Sequence, residues 1–413
     1  MIQFKMLFAS VAVLGLSVGT ASAEPLKVAI IEAFSGPAAQ TAIPFVDGLR
    51  YGFRKLNEQG GFNGEKIVVT EYDSLNEPTT AAEKMKAAIA TGANIIIQAG
   101  SSAIASQLSD DIRKYNLRNK GKEIIFFNAG SEAADLVGAK CHFWFFKGAS
   151  TPYIRMGALV PAMKESGTLG QKVFLINQNY SYGREAEEAQ TKAVAAAGST
   201  VVGKVLHDVA KIQDFSPYVA QIKASGADTV LTANWGNDII LLLRAIGEAG
   251  LKVNVGNTSL DTTGTLSTIG DAALGANLVK LYNLEAGGDA GKAFAEDFKS
   301  VIGHYPYNEE PTAVFNTLLL GSALKSLHQD GGKVDTLAIA KALETASYQA
   351  PTGTWSVRAA DHQMQMPVTI SQVSKDALYK VDGTDMGFKL IKIVPAEQAS
   401  VAVSPDCKMV RPE

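Results

Sequence analysis

Short apolar segments alternate with amphipathic helical ones along nearly the whole chain, and few folds accept that alternation. Leu26–Ile31 reads as a strand running into the turn cluster Glu32-Ala33-Phe34-Ser35-Gly36-Pro37. Pro44 then fits a first-turn proline, with Phe45, Leu49, Phe53 and Leu56 at helical spacing before Gly60-Gly61. Ile67–Tyr72 reads as a second strand and Thr79–Thr91 as a second helix. Ile95–Ile97 and Ile124–Phe127 read as further strands. This β-α-β-α order implies parallel sheets with helices on both faces.

The pattern restarts after Phe146. Val173–Ile176, Val201–Val205 and Thr229–Thr232 read as strands, Glu185–Ala197 and Tyr218–Ser225 as helices. A weak echo links the halves: the run from Ala90 to Ser101 matches the run from Ala224 to Trp235 in kind. Each is a helix end, a Gly-Ala turn, a buried strand and small polar residues at the strand's carboxyl end. Two similar lobes are therefore expected. Ligands of open α/β sheets sit beyond the carboxyl ends of the strands, so facing lobes would enclose one in a hinged cleft.

The first 23 residues stand apart. Lys5 supplies a positive charge, Met6–Val18 is an apolar run, and Gly19-Thr20-Ala21-Ser22-Ala23 ends in a small-x-small cleavage pattern. That run is shorter than the roughly 20 residues of a membrane-spanning helix. Residues 1–23 are thus read as a cleaved signal peptide, and no cysteine follows to carry a lipid. The formal net charge of the whole chain is −3 with no basic stripe, so no nucleic-acid partner is expected. The only cysteines are Cys141 and Cys407. An oxidising compartment permits them to pair; two separate thiols remain the other reading.

Catalytic and metal motifs are not found. The histidines His142, His207, His304, His328 and His362 are scattered, without metal-ligand spacing, and no glycine-rich phosphate loop appears. Gly15-Leu16-Ser17-Val18-Gly19 spells a nucleophile-elbow pattern but falls inside the leader. The expectation is no enzyme, no metal and no cofactor.

Several stretches carry a resemblance. They are Phe34-Ser35-Gly36-Pro37-Ala38-Ala39-Gln40, Leu56-Asn57-Glu58-Gln59-Gly60-Gly61-Phe62-Asn63-Gly64, Tyr72-Asp73-Ser74, Asn177-Gln178-Asn179-Tyr180-Ser181-Tyr182-Gly183 and Asp214-Phe215-Ser216-Pro217. In this order the chain resembles the type I periplasmic substrate-binding proteins of ABC transporters, in the leucine/isoleucine/valine-binding branch. The resemblance implies an α/β fold of two Rossmann-like lobes with parallel sheets joined by a three-crossing hinge. It implies a ligand carboxylate and ammonium held mostly by the first lobe, at Ser101 or Ser102 and at Ala129-Gly130-Ser131. There the Ala129 carbonyl would accept from the ammonium, and the Ser131 hydroxyl and amide would donate to the carboxylate. Helix capping is the competing role for these serines. Tyr182 and Trp235 would close over the ligand from the second lobe. Asp261 would meet the ammonium only with a small shift from the family position, which falls near Ser259.

The resemblance places one lobe at residues 24–147 plus 281–351 and the other at 148–280 plus 352–413. Hinge crossings would lie near Lys147-Gly148, Lys280-Leu281 and Thr352-Gly353. The expected protein is a monomeric periplasmic receptor that binds a branched-chain or related amino acid and delivers it to an inner-membrane ABC permease. The alternatives are a receptor for an aromatic or other carboxylate lacking an amine, or a ligand-binding partner of a sensor.

Overall fold

A computed structural model describes residues 24–412 apart from 37, 308 and 328–332; the signal-peptide reading of residues 1–23 lies outside the described residues. The first sheet holds β1 (Lys27–Glu32), β2 (Val68–Asp73), β3 (Ile95–Gln98), β4 (Ile125–Asn128) and β5 (Phe145–Lys147). All five are parallel, in the order β2-β1-β3-β4-β5. Helices α1 (Ala39–Glu58), α2 (Pro78–Ala90) and α3 (Ser102–Arg118) connect them. The central strands are apolar on both sides because both faces are covered. Ile95, Ile97, Ile125 and Phe127 pack with Phe45 and Leu49 on one face. Ile96 and Phe126 pack with Ala105, Leu108 and Ile112 on the other.

Helix α4 (Pro152–Glu165) leads into the second sheet, which holds β6 (Lys172–Gln178), β7 (Thr200–His207), β8 (Thr229–Leu231), β9 (Asn254–Asn257) and β10 (Asn277–Lys280). Helices α5 (Ser181–Ala196), α6 (Ser216–Ser225), α7 (Asn237–Glu248) and α8 (Thr265–Ile269) intervene. The parallel part runs β7-β6-β8-β9-β10, the same order by rank as the first sheet. The sequence echo therefore falls on equivalent strands, β3 and β8.

After β10 the chain forms α9 (Gly288–Ile302) and α10 (Glu310–Lys325), both packed on α1, and then α11 (Thr336–Leu343). Strands β11 (Ser347–Ala350), β12 (Gly353–Val357) and β13 (Met364–Gln365) make a small antiparallel sheet. Strands β14 (Val368–Ser374) and β15 (Gly387–Val394) add antiparallel to the β10 edge of the second sheet. Beyond β15 the chain returns to the first sheet's side, where Cys407 is disulfide-bonded to Cys141 with their Cα atoms 5.4 Å apart.

Two features depart from the sequence reading. Pro44 lies inside α1 rather than in its first turn. Its missing N–H would have served the carbonyl of Gln40, an exposed residue at the helix start that water can reach, so the helix tolerates it. The antiparallel strands β11–β15 lie outside the sequence reading: β11, β12 and β13 are short, β15 is half exposed, and β14, though largely buried, interleaves Thr, Ser and Gln with its apolar residues.

Candidate functional site

Residues just beyond β4 and β5 meet residues just beyond β6, β9 and β10, so the carboxyl ends of the two parallel sheets face one another. The Ala134 amide donates to Glu185 Oε2 across this junction at 2.9 Å. The hydroxyls of Thr263 and Tyr307 meet at 2.6 Å.

Between the sheets lies a buried group of charges. Arg155, on α4, donates from Nε to Ser150 Oγ at 2.9 Å and from Nη1 to the carbonyls of Thr258 and Val279 at 3.1 Å. Its Nη2 pairs with the Glu132 carboxylate, to which Ser150 also donates. Lys280, the last residue of β10, places Nζ 2.5 Å from Glu309 Oε1 and 3.2 Å from Asp261 Oδ1.

Glu132, Asp261 and Glu309 are thus the direct ion partners of Arg155 and Lys280, with the buried Lys147 adding positive charge near Glu132. Burial costs an ion its hydration, and only a close opposite charge offsets that cost. Burial raises the Asp261 carboxyl above its ordinary range; Lys280 opposes the shift and Glu309 adds to it. Burial also raises Glu309, but Lys280 and Arg155 outweigh it and hold that carboxyl low. Asp261 is the carboxylate left least compensated.

On the second lobe, Tyr182 is buried at the start of α5, its hydroxyl 3.2 Å from Thr258 Oγ1. Burial, reinforced by nearby Glu132, raises that phenol well above its ordinary value, so it stays protonated. Its ring lies 5.9 Å from that of Tyr180. Trp235 is 37% exposed and donates from Nε1 to the Tyr180 hydroxyl at 2.8 Å.

On the first lobe, the polar groups of the turns are bonded within the chain. Glu32, buried at the end of β1, accepts from the amides of Ala33, Ala99 and Gly100 and from Gln98 Nε2 at 2.5–3.1 Å. Burial raises its pKa against the pull of these donors. Lys147 is fully buried and donates to the Ser131 carbonyl; burial lowers it to about 8.

A periplasmic binding protein family profile matches residues 25–377. The chain is 47% identical over 392 residues to the Leu/Ile/Val-binding protein homolog 4 of Brucella melitensis biotype 1, covering 95% of this chain and 94% of that one. The chain belongs to the periplasmic binding protein family. Its structure superposes on the closed conformation of a leucine-, isoleucine-, valine-, threonine-, and alanine-binding protein from Brucella ovis with a TM-score of 0.93. That pair shares 47% identity over 94% of this chain and 100% of the other. A solute binding protein of an ABC transporter from R. palustris, in complex with 4-hydroxybenzoate, shares the fold at a TM-score of 0.75 and 20% identity, over 90% of this chain and 97% of that one.

In this periplasmic binding protein the residues expected at the site fall into two sets. Tyr182 and Asp261 come together with Glu132 and Arg155 at the junction, with Trp235 one residue further out through Tyr180. The first-lobe residues are differently placed. Ser101 caps α3, its side chain accepting from the Ile104 amide at 3.4 Å. The Ser102 hydroxyl, half exposed in the first turn of α3, bonds to none of the described residues. The Ala129 carbonyl accepts from Asn316 Nδ2 at 3.3 Å. Gly130 sits under the Phe45 ring, where a Cβ would come within 2.4 Å of a ring carbon. Ser131 donates its amide to Asn128 Oδ1 and its hydroxyl to the Ala99 carbonyl, both at 2.8 Å.

Sequence reasoning missed Glu132, Arg155 and Tyr180 as site residues and saw Lys280 only as a hinge position; it took the Glu309-Glu310 pair for a solvated face, whereas Glu309 pairs with Lys280 and Glu310 is buried. Arg155 carried a signal: it shares a helical face with Leu159 and Ala162, where a charge needs a buried partner.

Proposed function

We propose that this protein is the periplasmic solute-binding component of an ABC importer and that it takes an aliphatic amino acid between its lobes. The observation that weighs most is that Asp261, buried at the junction, pairs with a Lys280 ammonium that Glu309 also claims. A ligand's ammonium would balance Asp261, whereas a carboxylate lacking an amine would add a further negative charge beside it. The relationship to the Brucella ovis protein, whose name includes leucine, isoleucine, valine, threonine and alanine, supports the same class.

The lobes are proposed to divide near Lys147-Gly148 and Lys280-Leu281; the third crossing expected at Thr352-Gly353 falls inside the β11–β12 hairpin, and the tail assigned to the second lobe is tied to the first through Cys141–Cys407. Ligand would bind the open form and closure would bring up Tyr182 and Trp235. The preference for the closed form must reach about 5 kcal/mol to turn a rare state into the dominant one. The permease would read the closed shape. The protein would act as a monomer, by binding and release without chemistry on the ligand. Residues 1–23 would direct export and be removed.

The deciding experiment is titration calorimetry of residues 24–413 with leucine, alanine, isovalerate and 4-hydroxybenzoate. Binding of leucine or alanine but of neither carboxylate supports the reading; binding of a carboxylate alone overturns it. The pH dependence carries a second check. Because the Asp261 carboxyl is raised in the folded chain, its protonated form favours folding. That contribution is full below the carboxyl's unfolded value and is lost as pH rises through the raised one. Asp261→Asn should remove this segment of the stability profile and weaken amine-bearing ligands selectively.

A further inference from the structure

We infer that Tyr180 is a positioning residue: it holds the Trp235 indole in one orientation and so sets how the site discriminates between ligand side chains. This rests on the aliphatic amino-acid reading above. Trp235 is fixed twice. Gln178 Nε2, at the end of β6, donates to its carbonyl at 3.2 Å and to Asp238 Oδ2 at 2.7 Å. Gly236 next to it has φ +61° and ψ −139°, a backbone that a side chain resists, and α7 begins directly after. The main chain is thereby settled, and the side chain has one polar contact, the 2.8 Å hydrogen bond from Nε1 to the Tyr180 hydroxyl.

That bond matters because the indole is 37% exposed and packing alone holds it loosely. Tyr180 is itself anchored. Its ring lies against Tyr182, which reaches Thr258, and its amide donates to the Gln178 carbonyl at 3.1 Å. Burial keeps the phenol protonated, so it accepts from the indole and retains its own hydrogen. The path from Thr258 through Tyr182 and Tyr180 links the junction to the Trp235 indole, which on this inference forms a wall of the cleft. A wall held in place gives a side-chain pocket of fixed size. A released indole swings to suit large and small ligands alike, and discrimination falls.

The test is Tyr180→Phe, which keeps the ring and removes the hydrogen-bond acceptor. The Kd ratio between leucine and alanine is expected to shrink roughly three- to tenfold, the value of one hydrogen bond. Acrylamide quenching should rise, since Trp144 and Trp355 are buried and Trp235 supplies the accessible signal. In a Trp235→Phe background the same change should leave the ratio untouched. An unchanged ratio in the first variant overturns the inference. So does an equal change in both backgrounds, which would make Tyr180 a direct ligand contact. If the unaltered protein binds neither amino acid, the ligand class fails first and this inference fails with it, before any variant is needed.

Discussion

The equivalent turns of the two lobes solve the same problem with different charges. At the end of β3 the Ala99 amide is received by Glu32; at the end of β8 the matching Ala233 amide is received by Asn177 Oδ1 at 2.8 Å. Glu32 and Asn177 occupy the same place in β1 and β6, the sixth residue of each. The first lobe has thus seated a carboxylate of its own at its switch point, using the amides that an incoming anion would otherwise find there. The second lobe has seated a neutral amide and presents aromatic surface instead. On the proposed reading, an anionic ligand group would be left with the Ser102 hydroxyl and the first-turn amides of α3. The selective contacts would then come from the other side of the cleft.

The largest expected effect breaks this contrast directly. Glu32→Ala strands several buried N–H donors and should cost about 3 kcal/mol or more, against about 1–3 kcal/mol for Asn177→Ala. Paired thermal melts would check the order, and equal losses would mean that the charge adds nothing to the cap. The covalent link between the returning tail and the first lobe comes next. Cys407→Ser, or reduction, should lower stability by about 2–4 kcal/mol, and an identical melt under reducing conditions would refute it.

Smaller effects concern the cleft itself. Trp235→Ala should weaken ligand binding by about 1–3 kcal/mol with little change in the melting temperature; unchanged affinity in calorimetry would place the indole outside the ligand's reach. Smallest is the split between adjacent serines. Ser101→Ala should cost about 1 kcal/mol of stability as a lost cap, and Ser102→Ala should alter affinity while the melt stays put. The reverse pattern would exchange their roles.

How much was legible follows from what each feature depends on. Strands such as Ile95–Gln98 announce themselves by residues buried on both faces, and α1 by its apolar stripe, because hydrophobic periodicity is local. Tyr182 and Asp261 were reached through motif resemblance, and the structure brings them together. Ala129 and Ser131 were expected to present polar groups to a ligand, yet Asn316, Asn128 and the Ala99 carbonyl hold those groups. Nothing near them in sequence signals that, since Asn316 arrives from α10.

The sequence by itself determined the alternating α/β order, the repetition of one lobe by another and the family, because each is written in neighbouring residues. Only the tertiary structure decided the balance of charge at the junction. Glu132, Arg155, Asp261, Lys280 and Glu309 come from separate parts of the chain, and each alone would be too costly to bury. Coulomb attraction depends on distance in space, so which carboxylate stays undercompensated is settled only when the chain has folded.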